Sequence, residues 1–528
     1  MSVDPSSRSA TDRRVLVASV FVVGLCSIVY ELLVSTTSSY FLGDSVRQFS
    51  ITIGTYMAAM GAGSYLVRYV RGAGPARDLA AFVWVELALG LVGALSVPLL
   101  YYYFATHGYG GFQAVMLALV VGIGVLTGLE IPLLTRLLAP HFAGEEALSN
   151  VLTLDYLGAL AATLLFPFVL LPVVGVFQSS IAFGLVNVLV ATYTAFHFRE
   201  NPRRARQLLL CGAGALALVA SLGLSAKLLS AWEDALYRDP IVYTETTPYQ
   251  TLTVTRSGDD TRLYLDHVIQ WSTRDEYRYH ESLVHPALLA AATPPRRVLV
   301  LGGGEGLAVR EILRHRSVRE VVVVDIDTAI FRLAREHRQV RAANAGALDD
   351  PRVTALARDA FVYVHEATEP FDAIVVDLPD PTTDATARLY SVAFFRQCAR
   401  LLAAGGTLVT QATGPFHTRE AFWCIGATVR AGLAASGGGG GYAVEPYHSY
   451  VPAFGDWGFW LARPGGGAGL REPDFPTRYF SARQWALDRH FPSDLDAADV
   501  VPNRLDRPVL LDYYLDEWRS WSGEKQVW

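Results

Sequence analysis

The stretch FDAIVVDLPDP, residues 371–381, decides how the second half of this chain is read. Asp372-Ala-Ile-Val-Val-Asp377 is apolar and β-branched, the composition of a strand covered on both faces. Asp377 and Asp380 stand where that strand opens into a loop, and Pro379 and Pro381 stiffen the turn. In open α/β sheets, ligands bind at the carboxyl ends of strands. Two acids there suit a cationic ligand, or a proton to be taken from an amine. An Asx-type turn beside a helix start would use the same two residues.

Around this stretch the pattern alternates strand and helix. Arg297-Val-Leu-Val-Leu301 reads as a strand, followed by the turn Gly302-Gly-Gly-Glu-Gly306 and a helix to about His315. Glu320-Val-Val-Val-Val-Asp325 is a second strand, 353–358 a third and 372–377 a fourth. A helix over 391–402 leads through Gly405-Gly406 into a strand at 407–410. This predicts a doubly wound, Rossmann-like α/β domain of the methyltransferase type. Before it, residues 249–255 alternate with period two, 257–260 turn and 262–266 return, the pattern of a small β-domain.

The GGGEG turn lets a ligand approach the backbone closely, although glycines there also serve tight packing. Asp325, about 20 residues on, can bond both hydroxyls of a ribose, and Asp359 can accept from an adenine amino group. The pattern points to an adenosine-type pocket. Glu305, Asp377 and Asp380 surround its far end with negative charge, which repels a pyrophosphate and welcomes a sulfonium nucleoside with an amine tail. A strand-end carboxylate can also serve as the general base that frees an attacking amine. Trp271, Tyr279, Phe454 and Trp457 can line a channel or simply pack the core.

At 528 residues the chain predicts several domains, expected at 1–230, 231–290, 291–470 and a charged, aromatic tail at 471–528 with no assigned chemistry. The apolar fraction of 52% exceeds that of an ordinary soluble enzyme. The excess lies before residue 230, where seven segments read as membrane spans: 14–36, 48–70, 79–105, 111–138, 148–171, 174–198 and 207–226. Each is long enough for a hydrocarbon core of about 30 Å, which takes about 20 helical residues. An N-terminal, multi-pass α-helical membrane domain of seven helices is expected. Glu31, Glu86, Glu130 and Asp155 lie in or near these runs, either tying helices together or forming a cation path, with Arg136 a candidate partner of Glu130. A net charge of -6 gives no basic footprint and excludes nucleic acid as a partner. The four cysteines show neither a disulfide framework nor metal spacing, so no metal is expected.

Several motifs in order carry a family resemblance: Gln250 in YQ, LDHVIQ at 265–270, DEYRYHE at 275–281, GGGEG, VDID at 324–327, RDAF at 358–361, DLPDP at 377–381 and Gln411. They resemble the spermidine synthase-type polyamine aminopropyltransferases over about 240–462. The stretches YELLVSTTSSYFLGDSVRQFS at 30–50 and MGAGSYL at 60–66 resemble the membrane-spanning bacterial branch of that family. The resemblance implies transfer of an aminopropyl group from decarboxylated S-adenosylmethionine, a co-substrate rather than a bound cofactor, to an amine such as putrescine. The products would be spermidine and methylthioadenosine. It implies donor binding by Gln250, Gly302, Gly304, Asp325, Asp359 and Ala360. It places His280, Glu305, Asp380, Gln270, Tyr279 and Gln411 around the acceptor, with Asp377 as proton acceptor. Five positions depart from the family pattern: Glu305 replaces the usual Asp, Arg358 and Ala360 replace the glycines of Gly-Asp-Gly, Asp384 stands for a proline, and Phe454 for a tyrosine.

Two other readings use the same residues. One is a methyltransferase using S-adenosylmethionine itself, the other a membrane polyamine sensor or transporter with an inactive synthase-like domain. Expected partners are polyamine and nucleoside substrates and the lipid bilayer, with a homo-oligomer left open. Loop arginines with seven spans place the residues after 226 outside the cell. The nucleoside donor places them in the cytoplasm, and a catalytic half on the cytoplasmic face of the plasma membrane is the expectation retained.

Overall fold

The computed structural model describes residues 5–42, 45–69, 74–108, 110–142, 146–199, 201, 203–237, 239–436, 441–465 and 469–521. The chain forms two compact units, Met1–Leu236 and Tyr237–Trp528. The first holds the helices α1 (Pro5–Leu42), α2 (Ser45–Leu66), α3 (Pro75–His107), α4 (Phe112–Leu138), α5 (Glu146–Leu165), α6 (Val176–His197) and α7 (Arg204–Leu236). Six of them, all but α2, are long and apolar enough to cross a bilayer. The seven expected spans thus become six candidates, because Gln48, Ser50, Thr52, Thr55 and Ser64 dilute the apolar content of α2. The expected boundary at 230 falls inside α7, which runs unbroken to Leu236.

Close glycine contacts pair these helices. A Cβ built on Gly128 of α4 would lie 2.1 Å from the Met60 carbonyl of α2, and one on Gly63 would lie 2.1 Å from the Val125 carbonyl. Gly24 and Gly158 bring α1 against α5 in the same way, and Gly90 and Gly184 bring α3 against α6. Small residues of this kind let backbones approach where side-chain hydrophobicity gives no preference for a protein neighbour over lipid. Glu86 and Glu130 are fully buried in this unit. Glu86 accepts a hydrogen bond from Asn187 Nδ2 at 2.8 Å, and Tyr30 donates to Asn187 Oδ1 at 2.9 Å. Arg136, expected beside Glu130, instead pairs with Asp78 at 3.8 Å.

The second unit opens with an antiparallel sheet of β1 (Ile241–Thr246), β2 (Thr251–Ser257), β3 (Asp260–Leu265) and β4 (Val268–Ser272). A larger sheet follows, built from β5 (Arg297–Gly302), β6 (Glu320–Asp325), β7 (Val353–Ala357), β8 (Phe371–Asp377), β9 (Leu402–Gln411), β10 (Tyr442–Val451) and β11 (Gly455–Pro464). Its order is β10-β11-β9-β8-β5-β6-β7. The strands from β9 to β7 are parallel, but β10 and β11 add an antiparallel edge, so the sheet is mixed where an all-parallel one was expected. Strand β8 is central, with Ala373, Ile374, Val375 and Val376 fully buried, as its apolar run requires. The helix Glu276–Ala290, grouped with the small β-domain by sequence, packs into the core with Val298, Val300 and Ala373 of the large sheet. The glycine run 437–441 reads as a loop by composition, and its residues 437–440 lie outside the described residues.

The segment after 470 contains the helices Ala482–Asp488 and Leu510–Trp521. Leu510 is fully buried in a cluster with Phe394, Phe422 and Trp460. This C-terminal segment is therefore part of the catalytic fold rather than an appendage.

The glycine contacts of the first unit give a paired test. Gly128→Ala forces a methyl group into the α2 backbone and should cost about 1–3 kcal/mol, the usual range for overpacking. Gly122→Ala, with nothing within 4 Å of the added carbon, should leave the thermal unfolding midpoint of the detergent-solubilised chain unchanged.

Candidate active site

The site begins at the glycine turn after β5. Gly302 and Gly303 take φ of 85° and 63°, where a side chain is strained. Space forbids one as well. A Cβ on Gly302 would lie 2.0 Å from the Asp377 carbonyl, and one on Gly304 would lie 2.5 Å from Ile330 Cγ2 and 2.8 Å from Asp325 Oδ2. The turn therefore draws the carboxyl ends of β5, β6 and β8 together and sets Glu305 and Asp377 side by side.

Asp377 is half-buried at the end of β8 and accepts a hydrogen bond from the Tyr279 hydroxyl at 2.7 Å. Burial, and then the Glu305 carboxylate, push its pKa up to about 6, while His280 and the Tyr279 hydroxyl pull the other way. His280 lies between acids. Its Nδ1 donates to the Glu276 carbonyl at 2.8 Å and faces Glu276 Oε2 at 3.0 Å, and its Nε2 faces Glu305 Oε1 at 3.7 Å. Burial alone would strip the charge from this ring, but the bonds to Glu276 and Glu305 outweigh it and raise its pKa to about 10. Glu276 in turn takes both Arg310 nitrogens, at 3.0 and 2.8 Å. Burial works against this carboxylate, yet His280 and Arg310 together hold it below the usual range.

Asp380 accepts from the Tyr514 hydroxyl at 2.9 Å and from Gln411 Nε2 at 3.4 Å. Burial pushes its pKa up to about 6, and these two donors moderate the shift. Gln411 also binds the Leu378 carbonyl at 2.6 Å and the Tyr390 hydroxyl at 2.5 Å, so it braces the 377–381 turn as well as facing Asp380. Gln270 stands apart: its amide donates to the Val268 carbonyl at 3.1 Å on its own strand and makes no bond to the acids among the described residues.

The nucleoside end is built from helix starts. Asp325 accepts from the backbone N–H of Gly304 at 3.2 Å and of Asp327 at 3.1 Å. Burial, with the Glu305 charge adding to it, pushes Asp325 up to about 6. Asp327 caps the next helix by accepting from Ala329 N, and also receives Gln250 Nε2 at 3.2 Å and Thr247 Oγ1 at 2.8 Å. Gln250 thus joins the small sheet to the Asp325–Asp327 turn. Asp359 caps the helix that starts at Ala360 and is paired with Arg388 at 2.5 Å, with carboxylate lone pairs still open.

His280, Glu305 and Asp377 place three ligand-type atoms within 4.8 Å of one another. A metal needs a neutral imidazole, whereas this ring holds its proton, so the trio suits an ammonium better. Glu281, His285 and Glu311 form a second such group. There Glu281 accepts from the backbone N–H groups of Arg478, Tyr479 and Phe480, and Glu311 binds Arg310 and Arg314. Those acids are spent on clasping the C-terminal segment.

Sequence reasoning missed Glu276, Arg310, Tyr390 and Tyr514. Glu276 is legible in hindsight, since it stands one helical turn before His280. Arg310 and Tyr390 lie in the elements that follow the GGGEG turn and the 377–381 turn, and Tyr514 comes from the far end of the chain; none of the three carries a local signal.

The spermine/spermidine synthase domain model matches residues 276–461. A relative from Ralstonia nicotianae named polyamine aminopropyltransferase 2 is 43% identical over 516 residues, covering 96% of this chain and 98% of its own. A polyamine aminopropyltransferase from Leptospira interrogans is 41% identical over 514 residues, covering 95% of this chain and 98% of its own. A crystal structure of a spermidine synthase in complex with the transition-state analogue AdoDATO covers 48% of this chain and 86% of that one, at 21% identity and a TM-score of 0.43. The chain belongs to the polyamine aminopropyltransferases, enzymes with a spermine/spermidine synthase domain.

The buried imidazolium is directly testable. A ring whose pKa is raised carries its charge below that pKa and loses it only as pH climbs through about 10. Histidine-selective 15N NMR should find one doubly protonated ring at pH 8, and Glu276→Gln should bring its titration down toward the ordinary range.

Proposed function

We propose that this chain transfers the aminopropyl group of decarboxylated S-adenosylmethionine to a diamine of the putrescine class, giving spermidine and methylthioadenosine. One observation carries the reading. A half-buried carboxylate, Asp377, is held by Tyr279 beside the Glu305 carboxylate, next to a glycine turn and strand-end acids of the nucleoside-binding type. The relatives' common name, polyamine aminopropyltransferase, agrees with it.

In this reading the donor's ribose hydroxyls bond Asp325, its adenine lies near Asp359 and Ala360, and its sulfonium faces the turn at Gly302–Gly304. Gln250 supports that end by bonding Asp327. The acceptor's near amine approaches Asp377, which takes its proton. The freed lone pair attacks the donor methylene next to sulfur, the new C–N bond forms, and the C–S electrons leave on neutral methylthioadenosine. A base with a pKa near 6 remains ionised at neutral pH and is stronger than an ordinary aspartate. Tyr279 orients it, and Glu305 and Asp380 attract the cationic chain, with His280 holding Glu305 in place. Gln411 aids Asp380, and Gln270 lies further along the acceptor's route. A donor that kept its carboxylate would meet these acids with like charge, which argues against a methyltransferase.

The six apolar helices are read as spanning a bilayer. Leu16 of α1, Val67 just after α2 and Leu79 of α3 pack in one cluster, so α2 carries the chain back to the end of the bundle where α1 starts and counts as a seventh crossing. The arginine-rich N-terminus favours the cytoplasm for the start of α1 and, with seven crossings, the outside for the catalytic unit. The nucleoside donor favours the cytoplasm for the catalytic unit, and that side of the plasma membrane is retained.

Purified chain given decarboxylated donor and putrescine should release methylthioadenosine. Asp377→Asn should lower kcat by about 10²–10⁴, the usual contribution of a general base, while donor affinity survives. Full activity in that variant would sink the assignment. The rate should fall as pH drops through about 6, because protonated Asp377 cannot accept the amine's proton. For topology, added protease should leave the catalytic unit intact in whole cells and cut it in inside-out vesicles.

A further inference from the structure

Asp380 is the acid of the cluster that meets the C-terminal segment. Its Oδ2 accepts from the Tyr514 hydroxyl at 2.9 Å, a closer contact than the 3.4 Å from Gln411 to Oδ1. Tyr514 is 6% exposed, and its helix is anchored at both ends. At the start, Asn503 Oδ1 accepts from Leu510 N at 3.4 Å. Further along, Glu517 accepts from Glu420 N at 2.9 Å, and Trp518 stacks on His417 at 5.5 Å. The same Asn503 donates to the Ala387 and Tyr390 carbonyls at 2.9 and 3.1 Å. Tyr390 then donates to the Leu378 and Pro379 carbonyls, each at 3.0 Å. A ring of contacts therefore runs from Asp380 through Tyr514, the terminal helix, Asn503, Tyr390 and Gln411 back to Asp380.

Within that ring Tyr514 has a separable task. The backbone of the 377–381 turn is pinned by Tyr390 and Gln411 without it, so within this turn the phenol bears on the Asp380 carboxylate. We propose that Tyr514 is a positioning residue for the acceptor's outer ammonium, aiming the remaining lone pairs of Asp380 at the cation. A carboxylate offers about four lone-pair sites. Tyr514 and Gln411 occupy one on each oxygen and leave the others for an incoming ammonium. The phenol also favours the ionised carboxylate against the burial that opposes it. The assignment rests on the aminopropyl-transfer reading for what the ammonium belongs to, and on the Asp380 contact for everything else.

The test is Tyr514→Phe in the full-length chain in detergent, measured by calorimetric titration with putrescine and by steady-state kinetics. Loss of a hydrogen bond to a charged group should weaken putrescine binding and raise its KM by about tenfold. The kcat at saturation, the donor affinity and the thermal midpoint should stay as in the wild type. The acid limb of putrescine binding should move to higher pH, which loss of packing alone would not produce. In an Asp380→Asn background the same change should have little further effect, because the two residues act through one contact. Equal putrescine affinity with and without the phenol hydroxyl, or additive losses in the double variant, would overturn the assignment. A wild type that binds putrescine but yields no methylthioadenosine would overturn the reaction and leave Tyr514 to be judged on binding. A wild type that binds no putrescine would overturn both.

Discussion

The alternation of charge from Arg310 through Glu276 and His280 to Glu305 and Asp377 is the constraint on which the site depends. Each acid here is withdrawn from bulk water, and an unpaired buried carboxylate is costly. The fold meets this with a guanidinium at one end and an imidazolium, 2% exposed, in the middle. Past His280 the cations stop. Glu305, Asp377 and Asp380 are left with an excess of negative charge that the protein does not balance, which is the property a cationic substrate can use. The same chain of charge ties the helix Glu276–Ala290 to the turn after β5, so fold and electrostatics are set by one set of bonds.

Around that chain the backbone is shaped for close approach. The glycines after β5 allow the Asp377 carbonyl and the Asp325 carboxylate to lie where a side chain would otherwise stand. The helical unit uses the same device at Gly63 and Gly128, for a different end. In the catalytic unit close approach gathers polar groups at one point; in the helical unit it lets helix backbones pack directly on one another.

The C-terminal segment shows how a site can recruit a distant element. Glu281 and Glu311, which have the composition of a metal cluster, spend their oxygens elsewhere: Glu281 on the backbone N–H groups of residues 478–480, Glu311 on Arg310 and Arg314. The terminal helix then rests on the core through Leu510 and reaches Asp380 through Tyr514. Without tertiary docking, the aromatic residues of this segment carry no reading beyond helical spacing.

Local pattern was enough for the strand β8, the glycine turn and the acids at 305, 325, 359, 377 and 380, because β-branched runs, glycine and strand-end carboxylates are properties of neighbouring residues. It was also enough for the long apolar helices before residue 230, though scattered polar residues leave α2 short of the apolar content of the other six. It could not show the antiparallel edge made by β10 and β11, since strand pairing is decided between segments rather than within them. Nor could it distinguish Gln411 as brace from Gln411 as lining, or set Gln270 apart from the acids. Which carboxylates share a cation, which are satisfied by backbone donors, and which phenol from the end of the chain meets Asp380 were settled only by folding. Those relations span tens to hundreds of residues, and only a packed structure brings the groups within hydrogen-bonding distance.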